Sequence, residues 1–184
     1  MYNQISDNCN HQEVDIGSLR IEGVTAENLA EIIHLAELVW WDHFPGIISD
    51  EQIEYMLSKG YTEDKIIREL ESGTVCWVTL LDGSELVGFA SYGPVDNGEE
   101  MQLHKLYVHP GFQWTGYGTA VLHYIQKKAA ENGYKYLVLA VNKNNEKAIS
   151  AYLKNGFVIT ESRITDIGNG FFMDDYIMSK YLIQ

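Results

Sequence analysis

The sequence of 184 residues has only two cysteines and no long apolar run. Cys9 lies in a polar stretch and Cys76 in a predicted strand, and their separation matches neither a disulfide framework nor the spacing of metal ligands. No apolar segment approaches the roughly 18 residues that a membrane span requires, and the N-terminus lacks the basic-then-apolar order of a signal peptide. We therefore expect a soluble protein in the reducing cytoplasm, with no membrane partner.

Basic residues are scarce relative to acidic ones. The chain has 13 Lys and Arg against 26 Asp and Glu, so its formal net charge is −13. This charge disfavours a nucleic-acid partner and suits a cationic substrate, although acidic surfaces also serve solubility alone. The histidines show no paired ligand spacing, so no metal is expected.

The organisation of the chain predicts a flexible leader followed by one domain. Residues 1–17 are polar and show no apolar period, whereas residues 18–184 carry apolar periodicity almost throughout. Turn and cap residues divide this second part into a strand, three helices, three strands, a helix, a strand, a helix and two strands. That order is typical of a mixed α/β fold with about seven strands.

A glycine-bearing loop, Gln113 to Gly118, links an apolar strand ending at Val108 to a helix running to about Asn132. Such a loop directs several backbone N–H groups and the positive end of the helix dipole at one point, which suits an anion. Gly116 and Gly118 have no β-carbon, so a phosphate can approach the main chain closely.

A second motif strengthens this interpretation. The predicted helix from Asn145 to Asn155 contains Ala148 and Tyr152, and it is followed by Gly156 and Phe157. The two motifs resemble the Gln/Arg-x-x-Gly-x-Gly/Ala loop and the Asn-x-x-Ala-x-x-x-Tyr-x-x-x-Gly-Phe helix of the GNAT superfamily of acyl-CoA-dependent N-acyltransferases. The resemblance covers the chain from Ser18 onward. It implies a single GNAT domain with a mainly antiparallel mixed sheet and helices on both faces.

The resemblance also implies an acetyl-CoA site, with no metal. Backbone groups of the preceding strand would pair with the pantetheine amides, and the N–H groups of the loop would hold the pyrophosphate. Asn145 would hydrogen-bond the pantetheine arm. The implied cofactor-binding residues are Leu106, Tyr107, Val108, Gln113, Trp114, Thr115, Gly116, Tyr117, Gly118, Thr119 and Asn145.

Trp114 departs from the pattern, because many members of the superfamily have glycine there. A bulky residue does not readily adopt positive φ, so the sequence predicts a loop of different shape at its first turn. The ring either shields the loop or stacks near the adenine of the cofactor.

The resemblance assigns Tyr152 as the acid that protonates the leaving thiolate, since a phenol with a pKa near 10 keeps its proton at neutral pH. A main-chain N–H, that of Val108, would polarise the thioester carbonyl. Glu100 and His104 lie on one face of the strand before the loop and are candidate bases for the amine.

The acceptor pocket of the superfamily is built from the first two helices and the last hairpin, and these segments resemble the PaiA-type polyamine acetyltransferases. A polyamine needs carboxylates beside aromatic rings, because ring faces attract cations. The predicted substrate-binding residues are Trp41, Asp42, Glu54, Tyr55 and Asp174.

The sequence thus predicts an acetyl-CoA-dependent N-acetyltransferase that acts on a small primary amine such as spermidine, by direct transfer in a ternary complex. Two alternatives stay open: a protein or peptide N-acetyltransferase, and a non-catalytic acyl-CoA-binding module. The unpaired edges of the last strands also allow a homodimer through the C-terminal region.

Overall fold

A computed structural model describes residues 13–95 and 97–182, which form eight β-strands and five α-helices. The strands are β1 (Val14–Ile16), β2 (Leu19–Gly23), β3 (Cys76–Asp82), β4 (Glu85–Pro94), β5 (Glu100–Val108), β6 (Tyr136–Asn142), β7 (Val158–Gly168) and β8 (Phe171–Tyr181). The helices are α1 (Leu29–His43), α2 (Asp50–Gly60), α3 (Glu63–Ser72), α4 (Tyr117–Glu131) and α5 (Glu146–Lys154).

The chain divides into two compact units that interleave along the sequence. Among the described residues, the first comprises 13–93 together with Lys105–Val121, and the second comprises Pro94–His104 together with 122–182. β5 and α4 therefore each contribute residues to both units.

The first unit contains the antiparallel strands β1 to β4, each paired with its neighbour in sequence. Helices α1, α2 and α3 supply most of its core, and the buried rings of Trp40, Tyr61, Trp77 and Phe89 belong to the same cluster. Gly83 and Ser84 form the turn of the hairpin between β3 and β4, because Asp82 pairs with Glu85.

Among the described residues, the second unit contains a parallel pair of strands. β5 pairs with β6 from Glu100–Tyr136 to Leu103–Leu139, whereas β6–β8 and β8–β7 are antiparallel. The prediction of a mixed, mainly antiparallel sheet is thus confirmed, and the count is eight strands rather than about seven.

Local capping residues explain where the first helices begin and end. The Ser49 hydroxyl accepts the backbone N–H of Gln52 before α2, and Thr62 accepts that of Lys65 before α3. Gly73 follows α3 in the left-handed conformation with a φ of +63°. Such residues are the turn and cap signals by which the sequence divides the domain into its elements.

The structure corrects two expectations. Val14–Ile16 forms β1, although the leader was predicted to be flexible through residue 17; residues 1–12 lie outside the described part. Cys76 is disulfide-bonded rather than a free thiol, while Cys9 lies outside the described residues. Three alternating residues were too short a pattern to reveal β1. No described helix has the length and hydropathy of a membrane span.

We expect Gly88→Ala to destabilise the protein by about 1–3 kcal/mol, because the added carbon would overlap backbone atoms. A β-carbon at Gly88 would lie 2.6 Å from the carbonyl oxygen of Tyr107 and 3.4 Å from the Cα of Val108, so β5 would have to move away from β4. Urea denaturation measures the loss. Gly60→Ala is the matched control, since nothing lies within 4 Å of its added carbon; equal effects of the two substitutions would contradict the steric argument.

Candidate active site

The end of β5 provides the first part of the candidate site. The pairing of β5 with β6 covers Glu100 to Leu103, and β5 then continues to Val108. Leu106, Tyr107 and Val108 thus lie beyond the pairing with β6. A strand edge can bind a ligand through its backbone only where it is not paired with another strand. On the other side the strand is held in place, because the N–H of His109 donates to the carbonyl of Val87 at 2.8 Å.

The loop between β5 and α4 is well ordered by its own hydrogen bonds. The N–H of Gln113 donates to the carbonyl of Pro110 at 3.3 Å, and the Thr115 hydroxyl donates to the carbonyl of Phe112 at 2.7 Å. The Tyr117 hydroxyl donates to Asp82 at 2.7 Å and contacts the Ser18 hydroxyl at 3.0 Å. The loop is therefore held to β3 and to the residue that precedes β2.

The start of α4 can accept an anion. Helix α4 begins at Tyr117, so Gly118 and Thr119 lie in its first turn, where N–H groups have no partner within the helix. Gly116 has a φ of +89°, and nothing lies within 4 Å of the position of its missing β-carbon. The dipole of a 15-residue helix adds positive potential at the same end.

Trp114 corrects the expectation for the loop. It adopts a φ of +70° in spite of its bulk, so the turn keeps the left-handed geometry that glycine would favour. Its side chain is 90% exposed. A ring so exposed does not shield the loop.

Helix α5 carries the two predicted residues of the second motif. Asn145 is buried and stands at the N-cap, where its Oδ1 accepts the N–H of Ala148 at 3.2 Å. The amide NH₂ is the group left to donate to a ligand. Tyr152 is half-buried, and its ring lies 5.6 Å from that of Phe157.

The candidate bases lie in the same unit as α5. Glu100 is half-buried and His104 is exposed, whereas Met101 and Leu103 between them are buried, which confirms the predicted alternation of faces. Neither of the two emerges from the geometry as the base.

The two carboxylates at the centre of β8 differ in their surroundings. Asp174, the predicted substrate residue, forms an ion pair with Lys143. The neighbouring Asp175 has a pKa raised by burial and by the charge of Asp174, and within the described residues its buried Oδ1 has no hydrogen-bond partner. Asp175 is therefore the less engaged carboxylate. Adjacent positions on a strand face opposite sides, so the sequence predicts that at most one of the two carboxylates faces the substrate pocket.

Helices α1 and α2 flank a cavity of about 410 Å³ within the first unit, which is widely open to solvent. Trp41 and Glu54, both predicted from the sequence, line it, whereas Asp42 and Tyr55 do not. The remaining lining residues are Ile33, Glu37, Leu57, Ser58, Tyr61 and Thr62. Glu37 was missed by the sequence reasoning; it stands four residues before Trp41, so helical spacing was the signal that could have found it.

Tyr61 connects this cavity to β5. Its hydroxyl accepts a hydrogen bond from the indole N–H of Trp40 at 3.0 Å, and its ring centroid lies 6.5 Å from that of Tyr107. Burial raises the pKa of Tyr61 well above its usual value. The cavity is thus one aromatic ring away from the strand predicted to bind pantetheine.

Lys105 is an unexpected feature beside Tyr61. Its ammonium lies 5.0 Å from the centre of the Trp77 ring and 5.4 Å from that of Tyr61. Burial lowers the pKa of Lys105 to about 8, and the charge of Glu69 opposes this shift. The indole of Trp77 donates to Glu69 at 2.8 Å, which holds that carboxylate near the lysine.

Comparison with known proteins decides the family. The model of the acetyltransferase (GNAT) family matches residues 33–157, which contain the loop, α4 and α5. The chain belongs to the GNAT acetyltransferase family. Both motifs that predicted it lie within the matched residues.

Two relatives illustrate where the GNAT chain stands among its homologues. It is 27% identical over 153 residues to a spermidine N(1)-acetyltransferase of Thermoplasma acidophilum, with 81% of this chain and 94% of the relative covered. It is also 27% identical over 139 residues to an uncharacterised N-acetyltransferase of Mycobacterium bovis, with 76% and 88% covered.

Solved structures agree with the assignment to the GNAT family. The crystal structure of PaiA N-acetyltransferase from Thermoplasma acidophilum in complex with coenzyme A has a TM-score of 0.76 and 26% identity, and covers 89% of this chain and 98% of its own. A GNAT-type N-acetyltransferase from Rhodopseudomonas palustris has the same TM-score at 22% identity, covers 92% and 99%, and shows the fold alone. The GNAT chain is therefore an N-acetyltransferase with this fold.

Proposed function

We propose that this GNAT enzyme transfers an acetyl group from acetyl-CoA to a primary amine of a small polycation such as spermidine. The observation that carries the proposal is the open cavity between α1 and α2, which Glu37, Glu54 and Trp41 line together. Carboxylates and an aromatic face together favour a cation over an anion or a neutral ligand. A relative named as a spermidine acetyltransferase and a net charge of −13 support the same choice.

The residues of the first unit fit a thioester of CoA. The edge of Leu106–Val108 would pair with the pantetheine amides, and the N–H groups from Gln113 to Thr119 would hold the pyrophosphate. The free left-handed turn at Gly116 leaves room for phosphate oxygens to approach the backbone. Acetyl-CoA supplies the activated acyl group.

Transfer in a ternary complex needs a neutral amine and a proton for the departing sulfur. The amine nitrogen forms the new N–C bond as the C–S bond breaks, the Val108 N–H stabilises the carbonyl oxygen, and the Tyr152 phenol donates its proton to the thiolate. Glu100, His104 and Asp175 are the candidate groups that take the proton of the amine. Asp175 joins the first two because its oxygen is unengaged and its pKa is raised.

The test is acetyl-CoA turnover, followed as thiol release, against spermidine, spermine, putrescine, aminoglycosides, amino acids and lysine-containing peptides. We expect saturable turnover with the polyamines. Turnover with peptides alone would favour the second candidate, a protein acetyltransferase, and would contradict the assignment of the acidic cavity as the acceptor site.

Glu37→Gln and Glu54→Gln test the cavity directly. Each removes one negative charge and little volume, so we expect the KM for spermidine to rise about threefold to tenfold, in line with the modest strength of ion pairs near the surface. The KM for acetyl-CoA should not change. Glu71→Gln is the matched control, since Glu71 is exposed on α3 and does not line the cavity. An equal rise in the control would indicate a general effect of net charge.

A further inference from the structure

Trp114 is the most exposed large apolar side chain of the described residues, and it occupies a strained position. Its indole is 90% exposed and its φ is +70°, a region that bulky residues rarely adopt. The hydrogen bonds of Gln113 and Thr115 to the residues before the loop hold the turn on both sides of it. Such strain is kept only where the surroundings enforce it, and it concentrates at ligand-binding segments.

The loop does not need this ring for its own packing. Phe112 and Tyr117 stack with an interplanar angle of 20°, and His109 contacts the edge of Phe112 at 5.9 Å between centroids. These three rings form the aromatic packing of the loop, and Trp114 is not part of it. The sequence allowed two roles for the Trp114 ring, shielding the loop or stacking near the adenine of the cofactor. Because the ring is exposed and does not cover the loop, stacking is the role that is left.

The loop also lacks a cation for a phosphate-bearing ligand. No lysine or arginine occurs between Lys105 and Lys127, and the whole chain is strongly acidic. A polyanion such as CoA would be held there by backbone N–H groups and the dipole of α4 against an unfavourable net charge. A contact that does not depend on charge would add to that affinity, and an exposed indole offers one.

We propose that the indole of Trp114 stacks on the adenine base of the acyl-CoA and so forms a nucleobase subsite beside the pyrophosphate loop. This inference rests on the proposed use of acetyl-CoA. In CoA one ribose separates the pyrophosphate from the adenine, so a side chain of the pyrophosphate loop is within reach of the base. Stacking of an aromatic side chain on a base contributes roughly 1–3 kcal/mol in single-stranded nucleic-acid complexes, a factor of about 5 to 150 in affinity.

The experiment compares acetyl-CoA with a truncated acyl donor that lacks the 3′-phosphoadenosine and one phosphate of the pyrophosphate. Dissociation constants and KM values are measured for acetyl-CoA and for S-acetyl-4′-phosphopantetheine with the wild type and with Trp114→Ala. We expect the substitution to weaken the binding of acetyl-CoA about tenfold and to leave that of the truncated donor unchanged, so that the preference for the full molecule falls about tenfold in the variant. The free nucleotide 3′,5′-ADP should compete with acetyl-CoA in the wild type and much less in the variant.

Trp114→Gly separates the ligand role from the structural one. Glycine accepts the left-handed φ without strain, so this variant should melt at a higher temperature than Trp114→Ala while binding acetyl-CoA as weakly. If Trp114→Gly is more stable than Trp114→Ala and binds acetyl-CoA more weakly than the wild type, the ring serves the ligand and not the fold of the loop.

Three outcomes would overturn the inference. Equal affinity of the wild type and Trp114→Ala for acetyl-CoA would show that the base is not contacted. An equal loss for both donors would show that the ring shapes the loop and does not bind adenine. A wild type that binds neither donor would overturn the proposed function and the subsite with it, whereas the first two outcomes leave the proposed function standing.

Discussion

Tyr152→Phe is expected to lower kcat for acetyl transfer by about 100-fold or more, because a positioned general acid contributes roughly 10²–10⁴-fold to such reactions. The substitution removes one hydroxyl and keeps the ring that packs against Phe157, so the helix should retain its conformation. The affinity for CoA, measured by calorimetry, should stay within about twofold of the wild type. Loss of kcat without loss of affinity identifies a group that acts in the transition state.

Tyr181→Phe is the matched control, since Tyr181 is 61% exposed on β8 and has no role in the proposed reaction. A wild type that binds CoA but turns over no amine of the panel would favour the non-catalytic binding module. An active wild type whose Tyr152→Phe variant keeps its full rate would refute the phenol as the acid, and would leave protonation of the thiolate to solvent.

Lys105→Met is expected to stabilise the protein at pH 7 by up to about 3 kcal/mol, less what the cation–π contacts with Trp77 and Tyr61 contribute. Burial lowers the pKa of Lys105 in the folded protein to about 8, against 10.5 for an unperturbed lysine. Below pH 8 both states carry the proton, and the folded state bears the full cost of the buried charge. A methionine of similar length has no such charge to desolvate.

The pH dependence of stability gives this prediction a distinctive sign. Between pH 8 and 10.5 the unfolded chain still holds a proton that folded Lys105 has released, so the free energy of unfolding of the wild type should rise with pH through this window. The variant lacks this rise, so the difference between the two proteins should shrink as the pH approaches 10.5. Urea denaturation at pH 7, 8, 9 and 10 measures the free energy of unfolding of both proteins. The value of one is subtracted from that of the other, because the titration of the tyrosines contributes equally to both and then cancels.

Lys127→Met is the control for the lysine experiment, because the Lys127 side chain is 76% exposed. We expect its stability to follow the wild type at every pH. If Lys105→Met were less stable than the wild type at pH 7 and showed the same rise with pH, the buried ammonium would not be the source of the effect.

Much of the fold was predictable because local chemistry and tertiary structure agree. Ser49 and Thr62 cap the starts of α2 and α3, and Gly73 caps the end of α3. Asp82-Gly83-Ser84 forms the turn between β3 and β4. The loop before α4 and the N-cap Asn145 could be predicted for the same reason, since each is a short motif whose residues act on their neighbours in sequence.

The features that sequence reasoning missed depend on long-range packing. Burial lowers the pKa of Lys105, and the residues around it, Tyr61 and Trp77 among them, are distant in sequence, so its position in a strand gave no sign of that burial. Glu37 became a cavity residue only once α2 was placed against α1. The positive φ of Trp114 contradicts its residue preference, and such conflicts are expected where a ligand is bound.

The hydroxyl of Tyr117 has a consequence for how a ligand would be recognised. By donating to Asp82 while it contacts Ser18, it fixes the first residue of α4 against the end of β3 and the residue that precedes β2 before any ligand arrives. A loop held in this way has little conformational freedom left to lose, so an incoming phosphate would meet preorganised N–H groups at a small entropic cost. Recognition at this end of the molecule is then a matter of fit to a ready-made surface, and selectivity among acyl donors would have to come from the groups that project from it.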